Sequence, residues 1–184
     1  MIADRLYFTG VEAADRLLVE DPFALLIGFA LDQRVPVPKA FMGPLVLRER
    51  LGTLDAGAIA AADLDPVFRE KPALHRYPGA MAKRVHDLVV HIRDEYDGDA
   101  ARVWTDAKDS EELRANLEGL PGFGEMKVKA LGSVLAKRFG VEAAQDLVPW
   151  HPTLGDVDSA QALADYQAAK RLHKAEWLKA HAPA

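Results

Sequence analysis

Leu120-Pro-Gly-Phe-Gly-Glu-Met-Lys-Val-Lys-Ala130 is the stretch whose reading decides the fold. Leu113, Leu117 and Leu120 close one apolar stripe at helical spacing, and Leu131, Val134, Leu135 and Phe139 open another. Between the stripes, Pro121, Gly122 and Gly124 interrupt the helix and permit backbone conformations that side chains disfavour. A helix that starts at such a turn presents free N–H groups, and its dipole favours an anion there. Lys127 and Lys129 follow at once. The segment predicts two helices joined by a tight hairpin, a shape suited to clamping a phosphate. An ordinary helix–turn–helix corner is the plain alternative.

Working outward, nearly every segment reads as helix. Val11 to Glu20 is amphipathic and stops at Asp21-Pro22. Asp21 then caps a helix from Pro22 to about Gln33 that is apolar nearly all round and therefore buried. Further helices are predicted over Pro38–Leu51, Asp55–Ala62 and Asp65–Glu70, then from Ala80 to Tyr96 after the Tyr77-Pro-Gly79 turn. Asp99 and Asp109 open two more, the second running into the hairpin, whose own second helix stops at Gly140. Val141 to Gly155 is irregular, with Asp156 and Asp158 as caps for a last helix over Ser159 to about Ala180. Trp104 and Trp177 fall in helical stripes and read as packing residues. No alternating pattern of useful length appears, so the fold class is all-α.

Composition narrows the chemistry. The 184 residues contain no cysteine, which excludes disulfides, thiolate zinc sites and a cysteine-ligated iron–sulfur cluster. Apolar residues make up 49% and charged residues 28%, ordinary for a globular protein. Neither a membrane span nor a signal peptide is legible, so a cytoplasmic location is expected. The six histidines show no metal-binding spacing, and no phosphate loop, dinucleotide fingerprint or nucleophile elbow occurs. Net charge is −5, but Arg69, Lys71, Arg76, Lys83, Arg84 and Arg93 face only Glu70 and Asp87 within their stretch, with His75, His86 and His91 among them. Such a local basic face is compatible with salt-sensitive DNA affinity; a solvated helix surface is the plain alternative.

Leu120-Pro-Gly-Phe-Gly124 resembles the hairpin of the helix-hairpin-helix DNA glycosylases, the superfamily of endonuclease III and the alkylation-repair glycosylases. Leu31-Asp-Gln-Arg34 is similar to the family's duplex-wedging loop, and Leu74-His-Arg-Tyr-Pro-Gly-Ala-Met-Ala-Lys-Arg-Val85 to its other glycine turn, all in family order between about Asp21 and Gly140. The resemblance implies a two-lobed fold, with residues 22–120 in one lobe and 1–21 plus 121–184 in the other. It implies a monomer that binds double-stranded DNA, associated with the nucleoid when bound, and acts in base excision repair. By the same resemblance Pro121, Gly122, Phe123, Gly124, Glu125, Lys127 and Lys129 grip a phosphate, Gln33 fills the gap left by a flipped base, and Arg34 beside it contacts DNA. The carbonyls of Glu118, Leu120 and Phe123 would hold a monovalent cation, and no other cofactor is required.

Glycosidic hydrolysis passes through an oxocarbenium-like state that a carboxylate stabilises. Asp146, twenty-two residues beyond Gly124, has the family spacing for that role, and reads equally well as a surface loop acid. Tyr77, Trp150 and His151 are candidates for a base pocket because aromatic rings stack on extruded bases. The position where bifunctional members carry a Schiff-base lysine holds Met126. Lys127 is one residue on, about 100° round a helix, and is expected to point to phosphate instead. A monofunctional glycosylase without lyase activity follows, with a non-catalytic DNA-binding protein or a helical scaffold as the other readings.

Overall fold

The computed structural model describes residues 2–181, and among them every regular element is helical. Helix α1 (Glu12–Glu20) follows an extended N-terminal segment that Asp15 ties down. The Asp15 carboxylate accepts from the Phe8 and Thr9 N–H groups and the Thr9 hydroxyl, at 3.1, 2.9 and 2.9 Å. Asp21 ends α1 and caps α2 (Pro22–Leu31), accepting from the Phe23 N–H at 2.8 Å with Pro22 in the first turn. Every residue of α2 from Phe23 to Leu31 is buried, as its unbroken apolar run requires. The helix stops two residues earlier than its pattern suggested. Asp32 and Gln33 therefore lie in a turn, where Arg34 takes a left-handed φ of +56°.

Next come α3 (Val37–Leu51), α4 (Ala56–Ala61), α5 (Leu64–Arg69) and the long α6 (Pro78–Glu95). Asp55 caps α4, but the cap of α5 is Asp63 rather than Asp65, through a 3.2 Å bond from the Asp65 N–H. Phe41 is the hub of this half. Its ring meets Phe8 and Phe29 edge-on at 4.9 and 5.1 Å, and it lies so close over Gly28 that a Cβ there would come to 2.5 Å from it.

Short α7 (Arg102–Thr105) leads to α8 (Ser110–Glu118), capped by Asp109, and the hairpin then delivers α9 (Glu125–Arg138). Two short 3₁₀ turns, Glu142–Leu147 and Leu154–Asp156, pack on α9 within the stretch expected to be irregular. Asp156 closes a capping box with Thr153 in the second turn instead of capping the last helix. That cap is Ser159, which opens α10 (Ala160–Ala180) by accepting from the Ala162 N–H. Only Leu163 of α10 is buried. Trp177, expected in packing, is more than half exposed.

Helix α1 packs on α2 and α3, α7 packs on α8, α8 packs on α9 and the first 3₁₀ turn, and both 3₁₀ turns pack on α9. The buried apolar residues of both halves nevertheless form one continuous core. No helix among the described residues is long and apolar enough to cross a membrane.

Candidate functional site

The hairpin forms as its residues require. The Leu120 carbonyl accepts from the Phe123 N–H at 3.1 Å, and Gly122 sits at φ +80°, the left-handed region where a side chain is costly. Gly124 is different. It is extended (φ −86°), has open space beside it, and caps α9 without any side-chain hydrogen bond. The first N–H groups of α9 thus keep the free, anion-favouring character expected of them.

The two hairpin lysines do not face outward together. Lys129 is committed to Glu125, at 2.6 Å on the same helix face. Lys127, expected on phosphate, instead turns inward and is half-buried, its ammonium 5.4 Å from the centre of the Phe123 ring. It is Met126, at the Schiff-base position, that points to solvent, 87% exposed. The physical reason is the helical rotation already invoked, with opposite sign. Val128 and Leu131 direct the buried face of α9 inward, and Lys127 lies at its edge.

Opposite Lys127 stands Asp32, on the turn after α2. Burial lowers the Lys127 pKa to about 8, against the raising effect of Asp32, with Arg84 adding to the drop. Burial likewise raises Asp32, although Lys127 and Lys170 pull it down. Both groups shift towards neutrality because desolvation outweighs an attraction that acts across a gap. No ion pair within 4.0 Å and no hydrogen bond joins them. Tyr166 of α10 completes the group, and burial and the nearby Asp32 raise its hydroxyl pKa. Lys170 lies 5.9 Å from the Tyr166 ring centre. Beside them Arg84 donates to the Gln33 side-chain carbonyl, and Gly122 packs so near Arg84 that a Cβ would come 3.1 Å from its Nε.

Gln33 and Arg84 therefore join the hairpin to the turn after α2, while Asp32 and Lys127 act on each other only across a gap. Asp146 lies elsewhere. It is exposed and accepts from the Ser110 hydroxyl at 2.7 Å. Ser110 begins α8 and the hairpin follows its end, so the nine-residue helix separates them by about 12 Å at 1.5 Å per residue. The expected base-pocket residues are also dispersed. Trp150 is 96% exposed and pairs only with His151, ring centres 5.5 Å apart, whereas Tyr77 neighbours His75 at 6.1 Å.

The chain matches no known family model, no curated protein and no solved structure. Its function has to be argued from this site. Two open cavities of about 460 and 300 Å³ indent the surface, and neither is lined by Asp32, Lys127 or Asp146. Among the described residues, no three His, Asp or Glu side chains gather as metal ligands. Asp32 is the functional candidate that sequence reasoning missed. It lies inside the quoted Leu31-Asp-Gln-Arg34, and the signal was an acid directly after nine consecutive buried residues. A carboxylate at the end of a core helix is costly unless something uses it.

Proposed function

We propose that this chain is a helix-hairpin-helix DNA-binding protein of base excision repair. It would act as a monomer on duplex DNA, with α1–α6 and α7–α10 as its two lobes. The observation that carries this reading is the hairpin's geometry: Gly122 at φ +80°, an α9 start with no side-chain cap, Lys127 turned against the Phe123 ring, and Arg84 linking Gln33 to Gly122. The free N–H groups of α9 would hold a phosphate. The carbonyls of Glu118, Leu120 and Phe123 remain the donors for a monovalent cation, since the Leu120 oxygen keeps a second lone pair beside its bond from Phe123. In hydrolysis the C1′–N bond breaks, water oxygen bonds to C1′, and the base leaves with a proton. Asp32 suits the carboxylate role because its raised pKa makes it a stronger base and it lies within the field of Lys127 on α9, whereas Asp146 is bound to Ser110 at the far end of α8.

A specific observation favours a second reading, a DNA-binding protein without base-excision chemistry. Tyr166 and Lys170 of α10 lie within the field of Asp32, and neither of the two open cavities is lined by it. One experiment decides. Single-turnover assays would use duplexes carrying uracil, 8-oxoguanine, hypoxanthine, alkylated purines and oxidised pyrimidines, with gel shifts alongside. Base release that is lost in Asp32→Asn and kept in Asp146→Asn supports the enzyme. Binding without release on every lesion supports the second reading. Borohydride in the presence of an abasic duplex adds a check on the expectation of no lyase activity. An amine faces the site after all, and a trapped adduct absent in Lys127→Gln would overturn that expectation.

A further inference from the structure

The larger open cavity lies apart from Asp32 and Lys127, between the turn after α2 and the segment that leads into α6. Its rim carries Arg34, Lys39, Lys71 and Arg76, and its lining contains no acid. This is unusual in a chain with 28 acidic and 23 basic residues. Several cations elsewhere are matched, as Arg16 is with Glu12, Arg69 with Asp65, Lys83 with Asp87, and Arg102 with both Asp97 and Asp106. Others, such as Arg48, Lys108 and Lys174, also stand alone among the described residues, but they line neither cavity. The four groove cations form no ion pair among the described residues. Lys39 donates to the Ala73 carbonyl at 2.8 Å, and Arg76 lies 5.5 Å from the Tyr77 ring centre, so neither partner is a carboxylate.

The groove is also held in shape. His75 is buried beneath it, and its Nδ1 accepts from the Tyr77 N–H at 3.0 Å. Its Nε2 must then carry the hydrogen, which it donates to the Leu31 carbonyl at 3.0 Å. One neutral imidazole thereby fastens the end of α2 to the start of α6, from which the segments lining the groove lead. From its edge a chain of neighbours runs to the hairpin. Arg34 follows Gln33, Gln33 accepts from Arg84, and Arg84 lies against Gly122.

We propose that this groove is a second DNA-backbone site, receiving phosphodiesters on the side of Gln33 opposite the hairpin. The inference rests on the DNA-binding reading above and extends it from one phosphate-binding site to two, flanking Gln33, the second holding successive phosphates of one strand. Four unpaired cations around an open trough fit a strand that passes through. Condensed counterions released from the strand would make each contact visible as salt dependence.

The test measures duplex affinity across a salt series for wild type, Lys71→Gln/Arg76→Gln and Lys39→Gln/Lys71→Gln/Arg76→Gln. The double variant keeps the Lys39 bond to Ala73, so a structural loss in the triple variant cannot mimic the effect. Each lost phosphate contact should lower the slope of log affinity against log salt by about 0.9. The double variant should therefore lose about two units of slope and at least tenfold in affinity at moderate salt. A wild type that binds with steep salt dependence, and variants that keep the same slope, would overturn the groove while leaving the hairpin reading intact. A wild type with no salt-dependent affinity would remove both.

Discussion

Lys127 concentrates the chemistry of the hairpin in one amine. Its ordinary pKa near 10.5 falls to about 8 chiefly because burial penalises the charge, so near neutral pH an appreciable fraction is a free base. The sign of the linked stability follows. Between about pH 8 and 10.5 the unfolded chain holds a proton there that the folded chain has released, so stability rises with pH across that window. Wild type should gain stability relative to Lys127→Gln over the same range in denaturant titrations, and a constant difference would place the amine in water. His75 gives a window on the acid side. Burial lowers its pKa below 6.5, more than its backbone bonds raise it. The unfolded chain then takes up a proton first as pH falls through 6.5, and stability declines from there downward. His75→Gln should flatten that decline. The inward turn of Lys127 was not legible from spacing alone, because one residue of helical rotation was compatible with either face. Only the packing of Val128 and Leu131 chooses between them.

At the scale of elements, the two hairpin glycines look alike in sequence and differ in structure. Gly122→Ala must place a Cβ at φ +80° and against Arg84, so it should destabilise by about 1–2 kcal/mol. Gly124→Ala, at φ −86° with nothing nearby, should cost no more than about 0.5 kcal/mol. Equal losses in urea titrations would contradict the turn geometry. Gly155 is a third case. A Cβ there would lie 2.6 Å from the Ser133 backbone, so the 3₁₀ turn would have to leave α9, breaking the 2.8 Å bond from Arg138 to the Gly155 carbonyl. Helix boundaries were legible wherever a cap residue and an apolar stripe agreed, as at Asp21, Asp55 and Asp109. They slipped where two acids compete: Asp63 and Asp65 both suit the start of α5, and spacing does not choose between them. The stretch after Gly140 read as irregular because 3₁₀ turns of three to six residues carry no stripe.

For the whole molecule, the all-helical class was legible in the repeated 3.6-residue stripes, while the contacts between distant helices were not. Which helices share a lobe depends on contacts between distant segments, such as the bond from the Ala3 N–H to the Arg138 carbonyl that lays the N-terminal segment on α9. The site between the halves escaped for the same reason: Asp32, Arg84, Lys127 and Tyr166 come from four helices or their ends, and no local motif contains them. Although α1–α6 and α7–α10 pack mainly within themselves, their buried side chains form one core, and a continuous core predicts a single cooperative transition. The tryptophans supply a probe for one half alone. Trp104 is buried on α7, 6.4 Å from the Phe139 ring, whereas Trp150 and Trp177 are exposed and dispensable to packing. In Trp150→Phe/Trp177→Phe the fluorescence of Trp104 reports on the α7–α10 half, and circular dichroism reports on all the helices. Coincident urea midpoints are expected for the two signals. A Trp104 transition that precedes the loss of helix would show that the halves unfold separately, with the Asp32–Lys127 seam as the boundary that opens first.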